Sequence, residues 1–563
     1  MRLTRVGTNR YKLCTGKGEQ PVMLKIDASG PLARFIDRTF SLIGIVTLLA
    51  AAQMAVAQAQ QATAHLKEPI QVTGGSITGT PTIQWTPGVR LYRGIPYAAP
   101  PVGDLRWRPP QPVVAWTGVK AADHFGAACI QAPADTEGTA WREGAAEVSE
   151  DCLFINIWTP APSAEARLPV VVFIHGGGNW RGAASENQYD GAYIAKKGVV
   201  FVSFNYRMNV FGFLAHPELT GESEHHASGN YALLDQIAAL EWIQKNIGSF
   251  GGDPSDVMIF GHSAGSANVS SLLASPLAHG LFARALMQSG VNLNKGVPLA
   301  DAEKNGASYA ESLGAHSIAE LRKLPADELL KSSGHRFSLI VDGWVLPQDV
   351  YSTFAAGKQN DVPLVVGSVA NDTPGPGVVP ANGESRPAYA KRTFGDLGDE
   401  YLRLYPANDD QQAAQSDLKF RSDAAMANAR RLAELQGKTG KSPVYWYWFT
   451  HTSPFPEGLV WGGKPAKDWG AYHGSELIYV FDAFPVQDWA WRPVDLELGG
   501  LVSSMWIQFA KTGSPNGPGL PKWPAFDAKA DLLLNISDHP KAEKDPFGAA
   551  LDFQDKVAAG RRK

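Results

Sequence analysis

The residue of this sequence best placed for covalent chemistry is a serine between two glycines. Ser263 lies in Gly261-His262-Ser263-Ala264-Gly265, directly after the apolar run Val257-Met258-Ile259-Phe260. In such a pattern a strand turns sharply into a helix and holds the serine hydroxyl clear of the sheet, where it can attack a carbonyl carbon. Gly261 and Gly265 are required because a Cβ at either place would strike the neighbouring backbone. The pattern therefore predicts a nucleophile elbow.

Attack on a carbonyl creates an oxyanion, and N–H groups must stabilise it. A glycine-rich turn, His175-Gly176-Gly177-Gly178, directly follows the apolar run Pro169-Val170-Val171-Val172-Phe173-Ile174. Its bare backbone can face a substrate oxygen, and the elbow directs the first N–H of the following helix to the same place. We therefore expect the N–H groups of Gly177, Gly178 and Ala264 to form an oxyanion hole.

The serine also needs a general base, and thirteen histidines compete for that role. Where an elbow of this type occurs, the order along the chain is nucleophile, acid, histidine, so the base should lie late in the sequence. His473 fits best, because it lies in the loop Gly470-Ala471-Tyr472-His473-Gly474-Ser475-Glu476, well after the elbow. His451 is the alternative.

A carboxylate must orient the histidine, and two candidates lie between the serine and His473. Asp372 follows the short apolar run Leu364-Val365-Val366-Gly367, which predicts a loop at the carboxyl end of a strand. Asp342 precedes Gly343 in a predicted turn. A strand end suits the orienting role, so Asp372 is preferred, but the residues alone leave Asp342 as an alternative.

The elements that must position these residues alternate between buried strands and helices. Apolar runs predict the strands, and apolar residues at helical spacing predict the helices. In chain order we expect an antiparallel meander at 75–110, strands at 153–158, 169–174, 199–204 and 257–260 around a helix at 232–247, then helical segments at 302–332 and 394–435, a strand at 444–449 and a closing helix at 501–511. This order predicts an α/β fold, with a large, mainly parallel sheet covered by helices on both faces. The two long helical segments are expected to cap it.

The first 57 residues differ in composition from the rest. Basic residues precede an apolar run at 40–49, an alanine-rich stretch follows, and Ala55-Val56-Ala57 fits a cleavage site of small residues. These features predict a removable signal peptide at 1–57 and an exported protein, periplasmic or secreted, without stable membrane insertion after cleavage. An uncleaved membrane anchor is the alternative, although the apolar run is short for a span. We expect a linker at 58–74, one domain at 75–550 and a basic tail at 551–563.

Composition narrows the classes of function. The 563 residues carry a net charge of −4, and removal of 1–57 takes away eight basic and three acidic residues, which leaves −9. Such a charge argues against a nucleic-acid-binding protein. Two of the three cysteines remain, and in an exported protein the pair Cys129 and Cys152 predicts a disulfide. No C-x-x-C or H-E-x-x-H spacing occurs, so neither a metal nor a cofactor is expected.

Two longer stretches, at 150–158 and 260–266, resemble the signatures of the type-B carboxylesterase family of cholinesterase-like lipases and esterases, and in particular of its bacterial para-nitrobenzyl-esterase-like members. The clearest matches are Glu150-Asp151-Cys152-Leu153-Phe154-Ile155-Asn156-Ile157-Trp158 and Phe260-Gly261-His262-Ser263-Ala264-Gly265-Ser266. Shorter ones include Asn205-Tyr206-Arg207 and Gln288-Ser289-Gly290, and together the matches extend from about residue 75 to residue 526. The resemblance implies an α/β-hydrolase fold, ester hydrolysis, and Ser263 and His473 as nucleophile and base. It also implies that the loop between Cys129 and Cys152 lies at the rim of the site.

The sequence departs from this family at two places near the expected site. The family usually has Glu-Gly where this chain has Asp372-Thr373, and the shorter side chain requires the acid loop to lie closer to His473. His262 precedes the nucleophile where cholinesterases often have Glu, and we expect it to pack beside the elbow. The resemblance further implies that Ser289 hydrogen-bonds the acid–base pair and that Glu476 anchors the histidine loop.

The residues and the resemblance together predict a serine carboxylesterase that acts on a small-molecule ester through an acyl-enzyme. The alternatives are a lipase or an amide or carbamate hydrolase of the same fold. A third alternative, from another class, is a binding module of this fold without catalysis, which is disfavoured because every required group is present. The sequence selects neither the ester nor the oligomeric state.

Overall fold

The computed structural model describes residues 66–81, 86–132, 147–331, 334–372, 384–461 and 464–562, together with three strands near the N-terminus. The chain divides into two units, Met1–His65 and Leu66–Lys563. In the first unit the strands Arg2–Arg5, Arg10–Cys14 and Val22–Lys25 pair antiparallel in that order. The apolar run at 40–49 and the cleavage site of the expected signal peptide lie outside the described residues.

The second unit is built on a sheet of eleven strands among the described residues. In chain order they are β1 Thr80–Pro81, β2 Arg90–Pro96, β3 Phe154–Thr159, β4 Leu168–Ile174, β5 Val200–Phe204, β6 Gly252–His262, β7 Arg284–Gln288, β8 Leu364–Val369, β9 Val444–Phe449, β10 Leu532–Ile536 and β11 Lys541–Lys544. In space their order is β11-β10-β9-β8-β7-β6-β4-β5-β3-β2-β1. The strands from β10 to β5 run parallel, and the antiparallel pairs lie at the two edges. The predicted α/β fold with a mainly parallel sheet is confirmed.

The central strands carry long apolar runs because both faces of the sheet are covered. On β4, Val170, Val172 and Ile174 enter one hydrophobic core, and Val171 and Phe173 enter the other. Successive side chains of a strand point to opposite faces, so a strand buried on both sides needs an unbroken apolar run. The runs that predicted β3, β4, β5, β6 and β9 show this effect.

Helices cover the sheet on both faces. Those of eight residues or more are Tyr231–Asn246, Ala264–Ala274, Leu299–Ser312, Arg386–Phe394, Asp410–Thr439, Pro493–Thr512 and Ala549–Arg562. Shorter ones are Ala192–Ala195, Asn209–Phe213, Pro217–Glu222, Ile318–Leu321, Ala326–Leu329, Val350–Ala355, Gly398–Leu404 and Leu477–Phe481. Smaller sheets pair Gly75–Thr78 with both Ile70–Val72 and Val119–Ala121, Ala128–Cys129 with Val148–Ser149, Val297–Pro298 with Ile340–Val341, and Val460–Trp461 with Lys464–Pro465.

The segments expected as two long helical caps are more divided than predicted. The segment 302–332 breaks after Leu299–Ser312, where Gly314 adopts a φ of 71°. In the second segment, Arg386–Phe394 and Gly398–Leu404 form a separate aromatic cluster around Phe394 and Tyr401. The long helix Asp410–Thr439 packs on β8 and β9 and contributes Leu432 to the sheet core, so it is a crossover helix and not a cap.

The domain extends beyond the expected bounds at both ends. Ile70–Val72, placed in the predicted linker, pairs with Gly75–Thr78. The predicted basic tail is wrong, because Ala549–Arg562 is a helix whose Leu551, Phe553 and Val557 are buried. Two basic residues of the predicted tail, Arg561 and Arg562, lie in the last turn of this helix, where they favour the helix end.

A disulfide joins Cys129 and Cys152, and both residues are buried. The bond closes a loop whose residues 133–146 lie outside the described part of the chain. Among the helices that the structure describes, none is both long enough and apolar enough to cross a membrane.

Candidate active site

Ser263 lies at the carboxyl end of β6, between that strand and the helix Ala264–Ala274. Its backbone has a φ of 58°, which a residue with a side chain adopts only where its surroundings enforce it. The Ser263 N–H donates to Gln288 O over 2.9 Å, so the neighbouring strand β7 holds the turn. The hydroxyl therefore projects from a fixed backbone.

Both glycines of the elbow are required for the reason expected from the sequence. A Cβ at Gly261 would overlap the backbone of Gly265, and one at Gly265 would overlap the carbonyl oxygen of Ile174. A third glycine, Gly290, meets the same steric requirement although it lies on a separate loop after β7. A Cβ there would overlap the carbonyl oxygen of Ser263. The elbow thus fits between two neighbouring segments only when these positions lack side chains.

The structure brings Ser263, His473 and Asp372 together in one line of contacts. Ser263 Oγ lies 2.8 Å from His473 Nε2. His473 Nδ1 in turn contacts Asp372 Oδ1. The Asp372 side chain is 1% exposed and that of His473 is 20% exposed, so water reaches the imidazole but hardly reaches the carboxylate. This arrangement can take the proton of Ser263 and stabilise the imidazolium that results.

Asp372 is held by contacts that lie on its own loop and on the histidine loop. Ser368 Oγ donates to the second carboxylate oxygen of Asp372. The neighbouring Asn371 donates its backbone N–H to Ala471 O over 2.8 Å and its side-chain amide to Trp469 O over 2.6 Å. The acid loop therefore lies directly against the histidine loop, as the short aspartate side chain requires.

The two alternatives that the sequence left open lie elsewhere. His451 has carboxylates at both ring nitrogens, with Asp538 Oδ1 2.6 Å from Nδ1 and Asp495 Oδ1 2.6 Å from Nε2. Neither nitrogen is left to accept a proton from a serine. Asp342 accepts the backbone N–H groups of Trp344 and Leu346 and so closes its own turn.

The three expected oxyanion donors lie on two segments, the glycine turn and the elbow, which approach each other closely at Ser263. A Cβ at Gly176 would come within 3.0 Å of Ser263 Cβ, which shows how closely the glycine turn approaches the elbow. Gly177 and Gly178 have φ values of 108° and 69°, which turn their N–H groups as a side-chain-bearing residue rarely would. Across the described part of the chain, no acceptor receives the N–H of Gly177, Gly178 or Ala264.

A buried carboxyl group lies beside the His473 and Asp372 pair. Glu476 is 1% exposed, and burial together with the charge of Asp372 raises its pKa to about 7. Its Oε1 accepts long hydrogen bonds from Ser289 Oγ, at 3.4 Å, and from Gln288 Nε2, at 3.5 Å. The expected bond from Ser289 to the acid–base pair is therefore corrected, since Ser289 contacts Glu476 and Ser368 contacts Asp372. The sequence pattern gives no sign of this role for Ser368, because Ser368 lies within the mostly apolar strand β8.

His473 titrates under opposing influences. Burial lowers the pKa of His473, whereas the carboxylates of Asp372 and Glu476 raise it, and the net result lies above the ordinary value of 6.5. His262 packs beside this imidazole, with ring centroids 4.6 Å apart, as expected from its place in the elbow.

We expect the acid limb of the pH profile of kcat/KM to have its midpoint above pH 6.5. Below its pKa His473 is protonated and cannot accept the proton of Ser263, so the rate falls as the pH falls. Glu476→Gln should move this midpoint to lower pH, because it removes a carboxyl group with a pKa of about 7 whose ionised form favours the imidazolium. Initial rates with p-nitrophenyl butyrate between pH 5 and 9 would measure it. Glu497→Gln is the control, because it removes an exposed carboxylate and should leave the midpoint in place. If the midpoint of Glu476→Gln does not move, Glu476 does not influence the pKa of His473.

This arrangement of hydroxyl, imidazole, carboxylate and free N–H groups can attack an acyl carbon and stabilise the charge that develops. Within the described ranges, no group of three His, Cys, Asp or Glu side chains is arranged to hold a metal ion.

Comparison with known proteins identifies the family. The model of the Carboxylesterase family matches residues 67–554. The chain is 36% identical to fumonisin B1 esterase of Sphingopyxis macrogoltabida, over 79% of this chain and 83% of the relative. It is 33% identical to para-nitrobenzyl esterase of Bacillus subtilis, over 82% of this chain and 93% of the relative. It is 34% identical to cocaine esterase of Homo sapiens, over 80% of this chain and 84% of the relative. The resemblance that the motifs predicted is confirmed, and the chain belongs to the carboxylesterase family of carboxylic ester hydrolases.

Proposed function

We propose that this protein is a serine carboxylesterase that cleaves small-molecule esters through an acyl-enzyme. The observation that carries the proposal is the unbroken series of contacts from Ser263 Oγ through His473 to Asp372. Such a series is what activates a hydroxyl that is otherwise too weak a nucleophile at neutral pH. The membership of the family supports the same chemistry.

In the first half of the reaction Ser263 Oγ attacks the ester carbonyl, and its proton passes to His473 Nε2. Asp372 stabilises the resulting imidazolium and keeps the imidazole in the tautomer whose Nε2 accepts. When the tetrahedral intermediate collapses, the bond to the alcohol oxygen breaks and His473 returns the proton to that oxygen. The acyl group remains on Ser263.

In the second half water attacks the acyl carbon and gives a proton to His473. The acid is released when the bond to Ser263 Oγ breaks, and the proton returns to the serine. In both halves the N–H groups of Gly177, Gly178 and Ala264 would donate to the oxyanion. Each such donor contributes about 10²- to 10³-fold to the rate, because it is directed at charge that develops only in the transition state.

A substrate panel tests the proposal. We expect p-nitrophenyl acetate and butyrate to be hydrolysed faster than the octanoate and palmitate esters, with saturation kinetics. A radiolabelled organophosphate should label the protein once, and peptide mapping should place the label on Ser263. A preference for palmitate with interfacial kinetics would indicate a lipase. Absence of both turnover and labelling would indicate a binding module.

Fumonisin B1 belongs in the same panel because a fumonisin B1 esterase is among the relatives. Cocaine is the matched comparison, since a cocaine esterase shows similar identity. The ratio of kcat/KM for the two compounds would rank them directly.

We also propose that the protein is exported to the periplasm or the medium after removal of residues 1–57. The disulfide between Cys129 and Cys152 supports this, because such bonds persist in oxidising compartments. N-terminal sequencing of the protein secreted from cells that express the full chain should begin at residue 58. A protein that retains these residues and stays in the cytoplasm would contradict it.

A further inference from the structure

Two asparagines form reciprocal hydrogen bonds between the two segments that carry the proposed oxyanion donors. Asn179 Nδ2 donates to Asn268 Oδ1 over 3.1 Å, and Asn268 Nδ2 donates to Asn179 Oδ1 over 2.9 Å. Asn179 directly follows Gly178, and Asn268 lies one turn after Ala264 on the elbow helix. Each asparagine is therefore attached to a segment that carries proposed donors, Asn179 to the turn with Gly177 and Gly178 and Asn268 to the helix that begins at Ala264.

The pair is buried, so its hydrogen bonds cannot be exchanged for bonds to water. Asn179 is 7% exposed and Asn268 is 0% exposed. A buried amide that loses its partner retains the cost of desolvation, so the two side chains favour the one arrangement in which both bonds are made. Two apolar side chains would also fill this space, but they would not define the distance and orientation of the segments as a pair of directional bonds does.

The backbone of Asn179 is itself held in a strained conformation. Its φ is 62°, and its carbonyl oxygen accepts the N–H of Asn209 over 2.7 Å. Tyr206 approaches Asn179 Oδ1 to 3.4 Å and donates to His175 O over 2.7 Å, which ties down the start of the same turn. Such strain persists only where the surroundings hold it, and here the contacts with Asn209, Tyr206 and Asn268 hold it.

We propose that Asn179 and Asn268 are positioning residues that set the spacing between the N–H groups of Gly178 and Ala264. With the pair intact, both donors reach the same oxyanion. Without it, the glycine turn is free to relax away from the elbow helix. The inference rests on the proposed function, because it concerns the oxyanion of acyl transfer. Neither asparagine is assigned a contact with substrate, so the effect passes through the backbone of the two segments.

The first test is a double-mutant cycle on kcat with p-nitrophenyl butyrate. Asn179→Ala and Asn268→Ala should each lower kcat by about 10- to 100-fold, because misplaced donors stabilise the transition state less well. KM should change little, since the ground-state ester carries no oxyanion. Both single variants break the same pair, so the double variant should lose no more than the more impaired single variant.

The second test separates positioning from a general loss of structure. Benzyl trifluoromethyl ketone forms a tetrahedral adduct with an active serine, and its inhibition constant should rise in parallel with the loss of kcat/KM. Ser271→Ala is the matched control, because Ser271 is buried on the same helix and its hydroxyl bonds within that helix to Ala267 O. This control should keep both kcat and the inhibition constant. The concentration of active sites is measured by organophosphate labelling, and kcat is calculated from that concentration, so unfolded protein does not lower the value.

A conservative variant keeps the test decisive if an alanine variant folds poorly. Asn268→Ser keeps an uncharged group that can both donate to and accept from Asn179, so it should lose less than Asn268→Ala. Independent, multiplicative losses in the double variant, or an inhibition constant that stays at the wild-type value, would overturn the inference. These outcomes are distinct from failure of the proposed function, in which the wild-type protein itself would show neither turnover nor labelling at Ser263.

Discussion

Ser263→Ala is expected to lower kcat for p-nitrophenyl butyrate by about 10⁴- to 10⁶-fold while the protein remains folded. The substitution removes the attacking oxygen, so no acyl-enzyme can form, and any residual rate comes from binding and the oxyanion donors alone. Only Oγ is lost, and the backbone bond from residue 263 to Gln288 O remains, so the melting temperature should stay near that of the wild type. The loss can be measured by comparing the rate of the variant at high protein concentration with the rate of wild-type protein diluted about 10⁴- to 10⁶-fold.

Ser266→Ala is the matched control for this variant. Ser266 is a buried serine of the same elbow helix, three residues beyond the nucleophile, and it should retain nearly full activity. The Ser263→Ala protein should also take up no organophosphate, whereas Ser266→Ala should be labelled as the wild type is. Activity in Ser263→Ala within tenfold of the wild type would refute the assignment of the nucleophile.

Asp372→Asn should lower kcat by about 10⁴-fold at neutral pH with little change in KM. Asp372 accepts from His473 Nδ1, which leaves Nε2 free to take the proton of Ser263. An asparagine can present an N–H to Nδ1 instead, and that bond favours the tautomer in which Nε2 already carries a proton. The size and packing of the side chain are nearly unchanged, so the effect should appear in kcat and not in the melting temperature.

Asp342→Asn decides between the two acids that the sequence allowed. Asp342 closes its own turn through the N–H groups of Trp344 and Leu346, and an asparagine keeps an oxygen for these bonds. The kcat of Asp342→Asn should remain within about twofold of the wild-type value, as expected for a substitution outside the catalytic contacts. A large loss in Asp342→Asn together with normal activity in Asp372→Asn would reverse the assignment of the acid.

The parts of the site that could be predicted are those whose function requires a local pattern. A tight turn between a buried strand and a helix requires glycines at 261 and 265, and these lie next to the serine in sequence. The histidine could be predicted from chain order, and the acid only as one of two loops. Such patterns are visible because the physical requirement and the residues that meet it lie within a few positions of one another.

The parts that could not be predicted depend on contacts between distant segments. Asn179 and Asn268 are 89 positions apart, and Ser289 and Glu476 are 187 apart, so no spacing marks either contact. The basic residues at the end of the sequence predict a tail, whereas the helix that forms there is held by distant partners such as Arg430, which pairs with Asp552 and Asp555. Long-range contacts of this kind become apparent only when the fold is known.

The separate aromatic cluster of Arg386–Phe394 and Gly398–Leu404 bears on how relatives of this protein can diverge. Phe394 and Tyr401 stack with ring centroids 4.4 Å apart, and Phe553 of the C-terminal helix completes a small core distinct from the two that cover the sheet. A change in this segment is therefore expected to act first on the stability of the small core, which, among the described residues, shares no buried residue with the two cores that cover the sheet. Natural variation and protein engineering can accordingly reshape this part of the surface while the hydrolytic machinery is inherited unchanged.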